Sequence, residues 1–284
     1  MMRLQIICLL LGLSLSSLTG LAQTKPTEIY GQGEKSFKLA TGSPGELGLL
    51  KILAETFSKD FGARMEWFKA GSGASLKMLK NKEVDMIMVH APAEEKAAIA
   101  QGWATNQTLI GSNEFYIVGP KEDPADITHA SSGANAHQRI ATQQAKYVSR
   151  GDNSGTHQKE LQIWGKANVK PQGSWYIVTN DFMTASLKKA NSERAYFMTD
   201  SSTWVAEKNN APQLQILYRG DKFLVNTYHA LSTPNGTSPG SGTAQRFIEF
   251  VASEKGQTII RNFGKEQYGD SLYNDAKYAL QYVD

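Results

Sequence analysis

Hydrophobic and polar positions change period repeatedly along the first 120 residues. Residues 36–40 (SFKLA) alternate with the two-residue period of a strand. Leu47, Leu50, Ile52, Leu53 and Phe57 then recur at helical spacing as far as Phe61-Gly62. A second strand is predicted over 64–70, a short helix over 74–80, an apolar strand over 84–90 and a helix over 92–102. Residues 113–119 (NEFYIVG) form another strand, stopped by Pro120. Strand alternates with helix, which predicts an α/β fold with mainly parallel sheets flanked by helices.

The second half continues the alternation. After a polar stretch at 121–136, a helix is expected near 137–145 and a strand at 146–149. Helices at 159–167, 182–190 and 201–208 then interleave with strands at 175–179, 195–199 and 214–218. A last strand at 228–232 precedes an amphipathic helix at 242–253 that carries Phe247, Ile248 and Val251. Residues 23–35 are polar and glycine-containing and predict a loose N-terminal tail.

The first 22 residues read differently. Arg3 gives a positive start, 4–13 is nearly all apolar, and Gly20 and Ala22 sit at −3 and −1 of a cut before Gln23. That is the pattern of a cleaved signal peptide over 1–22 and implies a periplasmic or secreted protein. The apolar core is much shorter than the roughly 20 residues of a membrane span. Cys8 lies inside this core, behind Gln5-Ile6-Ile7, so it does not read as a lipoprotein site, and cleavage removes the chain's one Cys.

Composition narrows the chemistry. At about 150 residues per domain, 284 residues make about two domains. A chain 40% hydrophobic and 20% charged is not disordered. Its net charge of +3 is too small for a nucleic-acid binder, and one Cys excludes a disulfide framework. His90, His129, His137, His157 and His229 show no i, i+4 pair and no clustered carboxylates, so neither metal ligands nor a cofactor are expected.

Three strand-to-helix turns stand out: Thr41-Gly42-Ser43, Ser72-Gly73-Ala74 and Ser154-Gly155-Thr156. The first N–H groups of a helix have no internal partner, and the helix dipole is positive there. Glycine allows close backbone approach, and Ser and Thr add rotatable donors. Each turn alone reads as an ordinary N-cap. Three together, with Arg150 beside the third, make a candidate anion site at the carboxyl ends of the strands.

The string SRGDNSGTH at 149–157, followed by Lys159-Glu160-Leu161 and Trp164, resembles the signature of periplasmic tungstate-binding proteins of ABC importers. Leu39-Ala40-Thr41, Val89-His90-Ala91-Pro92, 113–120 and Thr199-Asp200 extend the resemblance along most of the chain. It implies a type II periplasmic binding protein of two α/β lobes joined by two crossover segments, with an anion in the cleft. Lobe one would then be 36–118 plus 229–284 and lobe two 119–228, hinged near Val118-Gly119-Pro120 and 225–228. The resemblance implies that Thr41, Ser43, Ser72, Gly73, Arg150, Ser154 and Thr156 line the cleft; Gly42 and Gly155 join them as members of the same turns. Two departures stand against it. The family's first turn runs Thr-Thr-Thr-Ser where this chain has Thr41-Gly42-Ser43-Pro44, and an Arg expected after Thr199-Asp200 is Ser201.

The expected function is capture of a tetrahedral oxoanion, tungstate or molybdate favoured, for delivery to an ABC permease, without catalysis. A phosphate- or sulfate-type receptor is the alternative. A secreted serine hydrolase using Asp152, Ser154 and His157 is weaker, because triad members come from separate parts of a fold.

Overall fold

The computed structural model describes residues 25–283; the expected signal peptide lies outside the described residues. The chain begins with β1 (Glu28–Tyr30), β2 (Lys35–Thr41), α1 (Ser43–Glu46), α2 (Leu49–Phe61), β3 (Ala63–Lys69), α3 (Ser72–Lys80), β4 (Met86–Val89), α4 (Pro92–Ala100) and the long β5 (Thr105–Pro120). It continues with α5 (Gly133–Thr142), β6 (Tyr147–Ser149), α6 (Gly155–Lys166), β7 (Tyr176–Val178), α7 (Met183–Glu193), β8 (Tyr196–Asp200), α8 (Ser201–Glu207) and β9 (Leu214–Tyr218). It then returns through β10 (Val225–Ser232), α9 (Ser241–Ala252), α10 (Glu254–Asn262) and β11 (Asn274–Asp275).

The strands are ordered β1-β3-β2-β4-β10-β5-β8-β6-β7, with β9 and β11 also paired to β5. Strands β3-β2-β4 and β7-β6-β8 are parallel, as βα alternation requires. Strands β5 and β10 run antiparallel to their neighbours, so the sheet is mixed rather than mainly parallel. These two strands carry the chain between the halves. In β5, Glu114 pairs with Val225 of β10 while the next residue, Phe115, pairs with Asp200 of β8. Pairing therefore passes from one half to the other inside an unbroken strand, ahead of Val118-Gly119-Pro120.

Three local differences from the sequence reading have plain causes. The expected loose tail contains β1, an edge strand on β3 that buries Tyr30. The helical run after Leu47 is broken at Gly48, whose φ of 94° is left-handed and suits glycine. The start of α5 falls in the polar stretch because Ser132 caps it, accepting from the Asn135 N–H.

Each half has its own core. In the first, Phe247 from α9 packs 5.3 Å from Phe37 and 5.2 Å from Phe57, between ring centroids. In the second, Trp164, Tyr147 and His137 pack together, with His137 4.4 Å from Trp164. The His137 Nδ1 lies 2.9 Å from the Gly133 carbonyl and so carries the proton; Nε2 accepts from the Tyr147 hydroxyl at 3.2 Å. Burial of this neutral ring pushes its pKa down to about 4.

The same core holds Glu160, whose carboxylate accepts from Ser149 Oγ at 2.8 Å, Trp164 Nε1 at 3.1 Å and Tyr176 OH at 2.6 Å. Burial outweighs these donors and raises its pKa to about 7. Between the ordinary 4.5 and about 7 the folded chain keeps a proton that the unfolded chain releases. Its contribution is thus full below 4.5 and lost as pH rises through 7. Glu160→Gln removes this titration. Relative to the parent, the variant should gain on the order of 3 kcal/mol in urea unfolding across that window. Parallel pH profiles for the two proteins would refute the assignment.

Candidate anion-binding site

The three turns meet where the two halves of the molecule face each other. The first follows β2. Thr41 is buried and its Oγ1 donates to the Met88 carbonyl at 2.8 Å. Gly42 caps α1 without a side-chain bond and Pro44 follows Ser43, so this turn offers the Ser43 N–H and hydroxyl but nothing from Pro44. The second follows β3, where Gly71 caps α3. Ser72 Oγ accepts from the His90 N–H at 3.2 Å, which leaves its own proton to give. The third follows β6. Ser154 caps α6 by accepting from the His157 N–H at 3.3 Å, and it too keeps a hydroxyl proton.

Arg150, only 4% exposed, stands at the end of β6. Its Nη2 donates to Asp152 Oδ2 at 2.5 Å and its Nε to the Asp181 carbonyl at 3.1 Å. Asp152 Oδ1 also accepts from the Ser154 N–H at 3.2 Å, folding the turn onto itself. One edge of the guanidinium is therefore held in place, and Nη1 has no hydrogen-bond partner among the described residues.

Thr41, Gly42, Ser43, Ser72, Arg150 and Ser154 line one small pocket, with no carboxylate on its wall. The space is about 10 Å³, on the order of one water. Gly73, Gly155 and Thr156 are not on the wall. Gly73 and Gly155 sit instead where the halves touch: a methyl on Gly73 would lie 2.6 Å from the Asn153 carbonyl, and one on Gly155 2.7 Å from that of His90. Thr156 is buried in the first turn of α6.

The wall also includes Pro44, Gly71, Met88, His90, Phe182 and Tyr228. His90 follows the apolar strand β4 directly, which carries it to the pocket. Met88, Phe182 and Tyr228 gave no signal in the sequence, because only strand pairing and lobe packing bring them here. His90 Nδ1 lies 2.8 Å from Asn226 Oδ1, whose amide donates to Asn113 Oδ1 at 2.7 Å. Asn113 in turn donates to Ser202 Oγ at 2.8 Å and Asp200 Oδ1 at 3.2 Å. This buried chain fixes His90 as the Nδ1–H tautomer. Burial first, then the Arg150 cation, hold its pKa down to about 3, so the ring stays neutral. Ser201 is not on the pocket wall; its hydroxyl accepts the Glu114 N–H at 3.2 Å, at the strand crossover.

The serine-hydrolase arrangement is not assembled. Ser154 Oγ is engaged by the backbone of His157, and the His157 Nδ1 accepts from the Asn153 N–H at 3.1 Å. Among the described residues no group of three His, Cys, Asp or Glu is placed to hold a metal, and no helix is long and apolar enough to cross a membrane. Beyond His90 and Gly155 a wider groove of about 820 Å³ opens, walled by α4, α6, β10 and the C-terminal residues.

The sequence pattern of the PBP superfamily domain matches residues 23–255. The tungstate-binding protein TupA of Peptoclostridium acidaminophilum is 34% identical over 280 residues, covering 95% of this chain and 96% of that protein. The tungstate ABC transporter structure from Geobacter sulfurreducens is 35% identical, with a TM-score of 0.73 over 82% of this chain and all of that one. TupA from Desulfovibrio alaskensis G20 is 35% identical, with a TM-score of 0.69 over 84% of this chain and 98% of that one. The two TupA proteins are named as tungstate-binding proteins, and both solved structures share this chain's fold over most of its length. The chain therefore belongs to the PBP superfamily, in the family of the tungstate-binding protein TupA.

Proposed function

We propose that the protein is an exported receptor that captures a tetrahedral oxoanion, tungstate or molybdate, between its lobes and hands it to the permease of an ABC importer, with no catalytic step. One observation carries this reading. Ser43, Ser72, Ser154 and Arg150 line one pocket with no carboxylate on its wall. Such a wall offers several hydrogen-bond donors and one cation and sets no negative charge against an oxoanion. The names of the relatives point to the same ligand.

Thermal shift against tungstate, molybdate, sulfate, phosphate, sugars and amino acids tests the reading, beside elemental analysis of the purified protein for W, Mo, P and S. A shift with tungstate and molybdate is expected; a shift with an amino acid alone would overturn it.

The space holds about one water, so the lobes would part where β5 and β10 cross over to admit the anion and close again around it, and ligand would shift the population toward that closed, loaded state. Saturating tungstate is therefore expected to reduce the radius of gyration in small-angle scattering. An unchanged radius at saturation would refute the closure.

A further inference from the structure

We propose that Phe182 is the lid of the anion pocket and that Lys69, reaching from the opposite lobe, latches it; this rests on the oxoanion reading above. Phe182 precedes α7 in the second half of the molecule and lines the pocket. Its ring carries two cations: Lys69 Nζ lies 4.2 Å from its centroid and Arg150 Cζ 5.5 Å. Lys69 ends β3 in the first half, and its ammonium also meets Glu46 Oε1 of α1 at 3.1 Å.

The segment is built to stay where it is. The Asp181 carbonyl accepts from Arg150 Nε at 3.1 Å, and the Phe182 N–H donates to Asp181 Oδ1 at 2.7 Å. The ring is thereby anchored to the guanidinium from its own lobe and touched by a cation from the other. The contact with Lys69 exists only while the halves are together. An aromatic face attracts cations and excludes water, and a drier pocket strengthens the bonds between Arg150 and an anion. The ring therefore slows departure of the anion more than its entry, and Lys69 contributes through the ring.

The test is the rate of tungstate release from the loaded full-length protein, followed by tryptophan fluorescence on rapid dilution. The variants are Phe182→Ala, Phe182→Leu, Lys69→Met and the double variant of Phe182→Ala with Lys69→Met, each first checked by calorimetry. Phe182→Ala should speed release at least about tenfold and association less. Lys69→Met should speed release about three- to thirtyfold, the range of a cation over an aromatic ring. It should add nothing in the Phe182→Ala background. Phe182→Leu, which keeps apolar cover but loses the ring, should fall between the parent and Phe182→Ala. Parental release from Phe182→Ala, or a full Lys69→Met effect without the ring, overturns the latch while leaving the oxoanion reading standing. Absence of oxoanion binding by the unsubstituted protein overturns both.

Discussion

Arg150→Ala is expected to weaken tungstate binding by roughly ten- to a hundredfold or more, the loss of a charge-assisted hydrogen bond of about 1.5–3 kcal/mol. Arg150 is the one guanidinium on the pocket wall, and its planar fork suits two oxygens of an oxoanion. The same side chain bonds to Asp152 and to the Asp181 carbonyl, so the ligand-free protein should also melt lower in this variant. Asp152→Asn separates the two roles. It weakens the hold on the guanidinium but leaves the cation, so the melting point should fall while most of the affinity remains. Calorimetric titration beside ligand-free melting curves reads both. An unaltered dissociation constant in Arg150→Ala would remove Arg150 from the site.

Gly155→Ala is expected to cost nearly as much without removing any ligand contact. The added methyl would lie 2.5 Å from His90 Cε1 and 2.7 Å from the His90 carbonyl, and the carbonyl is backbone that cannot swing aside. Overpacking of this kind costs about 1–3 kcal/mol. Because Gly155 and His90 belong to opposite lobes, that cost falls on the closed state. Affinity should drop about five- to a hundredfold with little change in ligand-free melting. Scattering at a given tungstate concentration should show a larger radius than the parent. Parental affinity would mean that the lobes do not need this contact to hold the anion.

The sequence showed the elements whose pattern is local. The strands around Leu39 and Ile87 and the helix ending at Phe61 follow from apolar period alone. The first half of β5 was not legible: Thr105, Asn106, Gln107 and Thr108 are polar, and their strand state comes from pairing with β10. Of the site, the hydroxyl and glycine turns could be read because small donors after strands have a chemical meaning. Phe182, Met88 and Tyr228 could not, since each owes its position to chain segments far away in sequence. The two-lobe division came from resemblance, not from periodicity, which cannot tell a strand serving one sheet from one serving two.

The position of β10 between β4 and β5 has a consequence for the order in which the protein can fold. All strand partners of β6, β7, β8 and β9 lie between β5 and β9, so the sheet of that half is complete once the chain has reached Tyr218, and its core closes with Leu224 a few residues later. The first half is not. Its sheet lacks a central strand until Ser232 is made, and its aromatic core lacks Phe247 and Phe250 until later still. A chain emerging from its N-terminus thus holds β4 and β5 with unpaired edges while the later segment is synthesised, and contacts of such long sequence separation form slowly. The domain begun first is finished last, and during that interval its exposed Phe37 and Phe57 are the surface a chaperone would have to cover.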